Sequence, residues 1–171
     1  VQREHDAFAR RVRAARPRIE LELRLAPSGP AGGWSLFRPH HYLTGEIHRA
    51  ARCYLAWWEG RPIAFCATIQ NMGFAGWRLI HRLVVLPDYQ GLGVGGRLLD
   101  AVADREARTL ARSGVSIRTS HPALIQRLKR TPTWRCITIC RSAPPQSGIL
   151  KRTGRRIGSM GRFTVSFRWQ G

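Results

Sequence analysis

At 171 residues, with 43% hydrophobic residues and six tryptophans, the chain is long enough for one domain with its own core and too apolar for a disordered tract. No apolar run approaches the roughly 20 residues of a membrane span, no charged-then-apolar signal segment opens the sequence, and four cysteines without CxxC or zinc spacing read as reduced thiols of a cytoplasmic protein. Lys and Arg number 29 against 10 Asp and Glu, a net charge of +19, and no acid follows Glu106.

In chain order, residues 1–17 carry Phe8 and Val12 at i, i+4 among arginines, the pattern of a short amphipathic helix or an arm. Residues 19–25 alternate strictly and predict a strand with one polar face. A flexible loop at 27–33 leads into residues 34–50, which read as mainly helical, interrupted at Pro39, and contain His40, His41 and Tyr42. Residues 52–58 and 62–69 are apolar strands joined by Glu59-Gly60-Arg61, a hairpin signal. After a turn at 71–76, residues 77–86 predict the central strand.

A helix follows from about Gly93 to Ser113-Gly114, where glycine suits the C-cap. Residues 115–119 are a short strand, and His121-Pro122 starts a helix through Arg130, proline being tolerated in the first turn. The last strands are 134–141 and 163–169; plain alternation puts Cys136 and Cys140 on one face of the former. Between them, residues 142–162 are rich in Pro, Gly, Ser and Arg and predict a basic mobile loop.

The chain is organised around residues 82–100. Leu83-Val84-Val85-Leu86 has the length and β-branching of a buried strand, Pro87-Asp88 stops it, and Gln90-Gly91-Leu92-Gly93-Val94-Gly95-Gly96 opens a helix. Strand, glycine-rich turn and helix make a place for a phosphate, because glycine lets backbone approach a ligand and the first N–H groups of the helix point at it. The Walker loop is excluded, since Arg97 and Leu98 follow Gly96 in place of Lys and Ser/Thr. The dinucleotide pattern is formally met by Gly91, Gly93 and Gly96, but the turn is four residues from the strand and no acid follows Glu106 to hold a ribose at the end of the next strand. A glycine-rich turn with no ligand is the competing reading.

The stretch resembles the Gln/Arg-x-x-Gly-x-Gly/Ala signature of the GNAT acetyltransferase superfamily, matched by Gln90, Gly93 and Gly95. The preceding Leu-Val-Val-Leu-Pro-Asp-Tyr resembles that family's central strand and turn. The resemblance implies acetyl-CoA, its pyrophosphate held by the turn of Gln90, Gly91, Leu92, Gly93, Val94, Gly95 and Gly96. Its pantetheine arm would pair with the backbone of Leu83, Val84 and Val85 like an added strand. The implied fold is α/β (α+β): a mixed, mostly antiparallel central sheet of about seven strands flanked by helices, one domain over residues 1–171. HHYL, LVVLPDYQGLGVG and SHPALIQRLKRTPTW together resemble a branch found in phages and beside ABC-type ATPases.

Acetyl transfer, the reaction so implied, needs a neutral amine, a stabilised oxyanion and a proton for the leaving thiolate. No Asp or Glu lies between Glu59 and Asp88, so the central strand offers no carboxylate base. It offers His81, which alternates with Leu79, Leu83 and Val85 and has an unperturbed pKa of about 6.5. The competing reading is a structural histidine bonded to a carbonyl. His41 and Tyr42 are the next candidates, against a capping pair beside Pro39. Adjacent His40 and His41 on a helix point about 100° apart, so no metal is expected. Where many family members have Asn-x-x-Ala-x-x-x-Tyr, this chain has Ser120, Ala123 and Arg127, and no tyrosine follows Tyr89. The general acid stays open among water, His121 and Tyr42, with Arg127 as an electrostatic stabiliser.

The acid-free stretch after Glu106 points to a polyanionic partner, nucleic acid foremost, since the few phosphates of CoA do not call for this much charge. Candidate phosphate contacts are Arg127, Lys129 and Arg130 on the helix, and Lys151, Arg152, Arg155, Arg156 and Arg162 on or beside the loop. Three readings follow: an N-acetyltransferase for an amine carried by DNA, tRNA or aminoacyl-tRNA; one for a protein or small-molecule amine; or a GNAT-like module that only holds nucleic acid.

Overall fold

The β-branched and alternating runs become strands close to where the sequence places them. A computed structural model describes residues 19–26, 32–41, 46–71, 76–109, 114–141 and 163–171. Its strands are β1 (Glu22–Ala26), β2 (Arg52–Trp58), β3 (Arg61–Gln70), β4 (Arg78–Val85), β5 (Val115–Thr119), β6 (Trp134–Arg141) and β7 (Phe163–Trp169). Its helices are α1 (Trp34–Phe37), α2 (Val94–Thr109) and α3 (Pro122–Arg130). The arm at 1–17, Tyr42, and the loop at 142–162 with Lys151, Arg152, Arg155, Arg156 and Arg162 lie outside the described residues. No described helix is long and apolar enough to cross a membrane.

The seven strands make one sheet in the order β1-β2-β3-β4-β5-β7-β6. Every pairing is antiparallel except β4 with β5, the pair bridged by the α2 crossover, because parallel neighbours need a long connection. Between β2 and β3, Glu59 (φ 47°) and Gly60 (φ 75°) are both left-handed, the backbone that a two-residue hairpin turn requires. On one face α2 buries Leu98, Leu99, Val102 and Ala103 against Tyr54, Cys66, Ile80 and Ile117, with Leu128 of α3 closing the layer. On the other face Trp34 and Phe37 of α1 pack around Phe65 with Leu55 and Val84, ring centroids 5.2 and 5.6 Å from that of Phe65.

Three expectations are corrected. Among the described residues the 34–50 stretch is not mainly helical: α1 is one turn, followed by a 3-10 turn at Arg38–His40 and an extended His41. Pro39 has no N–H to give the carbonyl of Ser35, so the α-helix stops there. Second, Ala67 pairs with Arg82 but Thr68 with Ile80, so His81 is the extra residue of a β-bulge. The bulge reverses the alternation: Leu83 and Val85 join Ile80 on the α2 face, and Val84 packs on the α1 face. Third, a bulge in β6 puts Cys136 opposite Phe167 and Cys140 opposite Thr164, so the two thiols point to opposite faces.

One charge lies inside the core. Glu106, fully buried on the apolar face of α2, accepts hydrogen bonds from Tyr54 Oη (3.0 Å), Thr68 Oγ1 (2.5 Å) and Arg52 Nη1 (3.0 Å), with Arg78 Nε at 3.6 Å. Burial and the charge of Glu106 push the Tyr54 phenol up to about 12.

Candidate active site

The site begins where two strands part. β4 stays paired with β3 through Val85, but its pairing with β5 ends at Ile80 and Ile117. β5 runs on beside β7 to Thr119. Between the diverging edges opens a cleft of about 610 Å³ that passes through the sheet. On the α2 side it is lined by the glycine turn, Leu124 and Arg127; on the α1 side by His40 and His41; His81 stands at the seam.

The glycines divide into two kinds. Gly91 and Gly93 both have φ of 80°, the left-handed backbone that swings the chain from the 3-10 turn Pro87–Tyr89 into α2. Gly95 and Gly96 are close-approach residues: a Cβ on Gly95 would meet Val85 Cγ2 at 3.0 Å, and one on Gly96 would run into the Arg127 side chain. The first intrahelical bond, Arg97 N–H to the Gly93 carbonyl, leaves the preceding amides unsatisfied by the helix, in a turn that lines the cleft. Gln90 braces the turn by donating its Nε2 to the Val85 carbonyl at 3.0 Å. An anionic group at the end of a flexible arm fits this arrangement, with the arm laid along the unpaired edge of β4.

The chemistry of His81 differs from the sequence expectation. Burial first, then the charge of Arg82, His41 and His48, pushes its pKa down to about 4. Arg82 Nη1 lies 3.2 Å from His81 Nδ1 and also donates to the His81 carbonyl at 3.0 Å. A guanidinium only donates, so Nδ1 accepts and the neutral ring carries its proton on Nε2. His81 is therefore a neutral donor at pH 7, not a base of ordinary strength.

His41 stacks edge-on to Trp34, centroids 5.7 Å apart, at the opposite mouth. His121 caps α3, its Nδ1 accepting from Leu124 N–H at 3.4 Å. Arg127 lies against Gly96 and is paired with Asp100, whereas Lys129 and Arg130 are exposed and away from the cleft lining. Arg82, Arg118 and Thr119 line the cleft without having been singled out in the sequence. Among the described residues no carboxylate lines it, and no group of three or more His, Cys, Asp or Glu gathers to hold a metal ion.

Residues 49–130 match the family model described as acetyltransferase (GNAT) domain. No curated protein matches the sequence. Among solved structures the chain is similar to an acetyltransferase from Bacillus subtilis in complex with CoA, at TM-score 0.63 and 16% identity, covering 89% of this chain and 99% of that one. A GNAT family acetyltransferase from Elizabethkingia anophelis with acetyl-CoA bound gives TM-score 0.61 at 16% identity, covering 88% and 98%. A spermidine/spermine N-acetyltransferase from Vibrio cholerae gives 0.63 at 10% identity, covering 87% and 91%. The fold is the GNAT fold over nearly the whole of each partner.

Proposed function

Taking residues 49–130 as the acetyltransferase (GNAT) domain that they match, we propose that the protein is an acetyl-CoA-dependent N-acetyltransferase whose acceptor is a weakly basic amine carried by nucleic acid. The observation that carries the reaction is the parting of β4 from β5 beside the glycine turn. When bound, acetyl-CoA supplies a thioester whose C–S bond breaks as the amine's N–C bond forms. The amides of Leu92 to Gly96 would hold the pyrophosphate, and the free edge of Leu83, Val84 and Val85 would hold the arm. A donor at Nε2 of His81 suits a carbonyl oxygen on which negative charge develops.

The same geometry bears on the acceptor. With His81 neutral and no described carboxylate in the cleft, the amine must arrive already deprotonated, as an aromatic or aminoacyl amine does more readily than lysine. Arg118, exposed at the cleft and in no ion pair among the described residues, repels a cation such as a polyamine. A net charge of +19 supports a polyanionic carrier. This reading sets the protein in the phage and ABC-ATPase-associated branch and in the cytoplasm, where the four free cysteines stay reduced.

The test is radiolabelled acetyl transfer from acetyl-CoA onto pools of DNA, tRNA and protein. Label in a nucleic-acid pool is the expected result. Label only in protein moves the acceptor to a polypeptide amine, and no label with any acceptor leaves a binding module.

A further inference from the structure

Resting on the acetyltransferase reading but on residues outside the cofactor site, we propose that the face of the β5-β7-β6 half-sheet turned away from α2 and α3 docks the phosphodiester backbone of a nucleic acid through Arg118, Arg168 and Arg135. Among the described residues the α1-side core covers β1 to β4. Beyond β4 the same face carries Ser116 and Arg118 of β5, Ser166 and Arg168 of β7, and Arg135 and Thr138 of β6, because their neighbours Ile117, Val165 and Phe167 pack toward α2 and α3. The three arginines are exposed.

The register fixes their layout. Arg135 stands directly opposite Arg168, and Arg118 is opposite Ser166, one diagonal step from Arg168. Neighbouring strands are about 4.8 Å apart and diagonal neighbours roughly 7–8 Å, so the three arginine positions form one row across three strands. Among the described residues none of the three is in an ion pair, and no acid follows Glu106 to supply one from this half of the chain. Like charges directly opposite in a sheet destabilise it. A fold that keeps such a pair on a face without a carboxylate leaves the charge to an anion from outside.

Two of the three are also held in place. Arg118 donates its Nε to Ser166 Oγ at 3.2 Å, and the Arg168 guanidinium lies 4.4 Å over the Trp77 ring. Ordered forks on a flat face suit phosphate oxygens, which guanidinium meets bidentately. Arg118 lines the cleft at its end of the row, so a backbone lying on this face leads toward the α1-side mouth where His40 and His41 stand.

The experiment is binding without chemistry. Anisotropy of a labelled DNA duplex, the matching single strand and a tRNA is followed from about 50 to about 200 mM salt, for wild type, a triple variant (Arg118→Ser, Arg135→Ser, Arg168→Ser) and a charge-matched control (Arg61→Ser, Arg105→Ser, Arg108→Ser). Each phosphate contributes a log–log slope of about −0.9 on duplex DNA, so the triple variant should flatten the slope by roughly two to three units, a loss of up to about 40-fold in salt dependence over that range. The control should flatten it by less than one unit, and a triple Arg→Lys variant should keep the wild-type slope. The duplex, single-strand and tRNA arms identify which nucleic acid is bound.

Equal flattening in triple variant and control, or no flattening in the triple variant, overturns the docking row. Polyglutamate that competes as well as nucleic acid also overturns it, in favour of an acidic protein. An acetyl-CoA melting shift measured in parallel reports the cofactor reading independently. Arg135→Ser alone should melt at or above the wild-type temperature; a lower melt shows that the arginine pair serves stability and sinks the inference.

Discussion

Arg127 of α3 donates through both Nη atoms to Asp100 of α2, at 3.2 and 2.5 Å, while Trp134 of β6 donates its Nε1 to the same carboxylate at 2.8 Å. One carboxylate thus ties three elements together behind the first turns of α2. The guanidinium can lie there only because Gly96 has no side chain. Where the family resemblance looks for a tyrosine, this chain has a fastening between helices that also lines the cleft.

Asp100→Ala removes the acceptor of all three bonds and strands two donors. A cost of about 1–3 kcal/mol is expected, which for a chain of this size lowers Tm by roughly 2 to 12 °C. A melt at the wild-type temperature would show that the fastening carries no stability.

His81 yields a prediction that separates donor from base. His81→Ala should lower kcat/KM by about 10²–10³, as loss of an oxyanion donor does. His81→Gln retains an N–H but no useful basicity, and should recover a measurable part of that loss. Equal loss in both variants would return His81 to the role of base.

The same residue sets a pH dependence of stability. Its ring titrates near its ordinary value of 6.5 when unfolded and about 4 when folded, so between those values the unfolded chain binds more protons. The stabilisation is complete above about 6.5 and is lost as the pH falls toward 4. As the pH falls through that window, the melting temperature of wild type should drop relative to that of His81→Phe. Parallel curves would mean that the imidazole is not held neutral.

Much of this was legible in residue types, and the exceptions have physical causes. β2, β5, β6 and β7 fall within a residue of the expected spans because apolar runs bounded by turn residues leave few alternatives. The two bulges were not legible, since one inserted residue changes neither composition nor strand length while it reverses which side chains face the core. The tautomer of His81 depends on Arg82 folding back beside it, which no spacing reveals. Glu106 did have a signal: it falls on the helical face of Leu99, Val102 and Ala103, where an acid must find partners inside.

Acetyl-CoA should raise the melting temperature of the wild type. Gly93→Glu should abolish that rise, by placing a carboxylate among the amides proposed to hold the pyrophosphate and by forcing a side chain onto a backbone with φ of 80°. Wild type that shows no rise with millimolar acetyl-CoA would remove the cofactor from the reading altogether.

Glu106→Leu leaves Arg78, whose side chain is 12% exposed, without its counter-charge. Breaking a buried pair in this way costs about 3–5 kcal/mol, a fall of roughly 6 to 20 °C in Tm. Glu106→Gln keeps much of the hydrogen bonding and should bring the Tyr54 phenol down from about 12 by removing the neighbouring negative charge. Tyrosinate absorbance during alkaline titration checks the shift, and an unmoved Tyr54 would assign the whole effect to burial.

The parting of β4 from β5 also bears on how the molecule keeps to itself in a crowded cell. A strand with unpaired amides and carbonyls ordinarily invites stray chains to stack on it and seed fibrils. Here two such margins are produced by one fork, and they face each other across the gap instead of facing outward. A foreign strand would need both of its flanks to match diverging rails and would meet the floor formed by the glycine turn. The fork therefore admits a slender guest with a few polar groups along its length and turns away the broad ribbon of another protein.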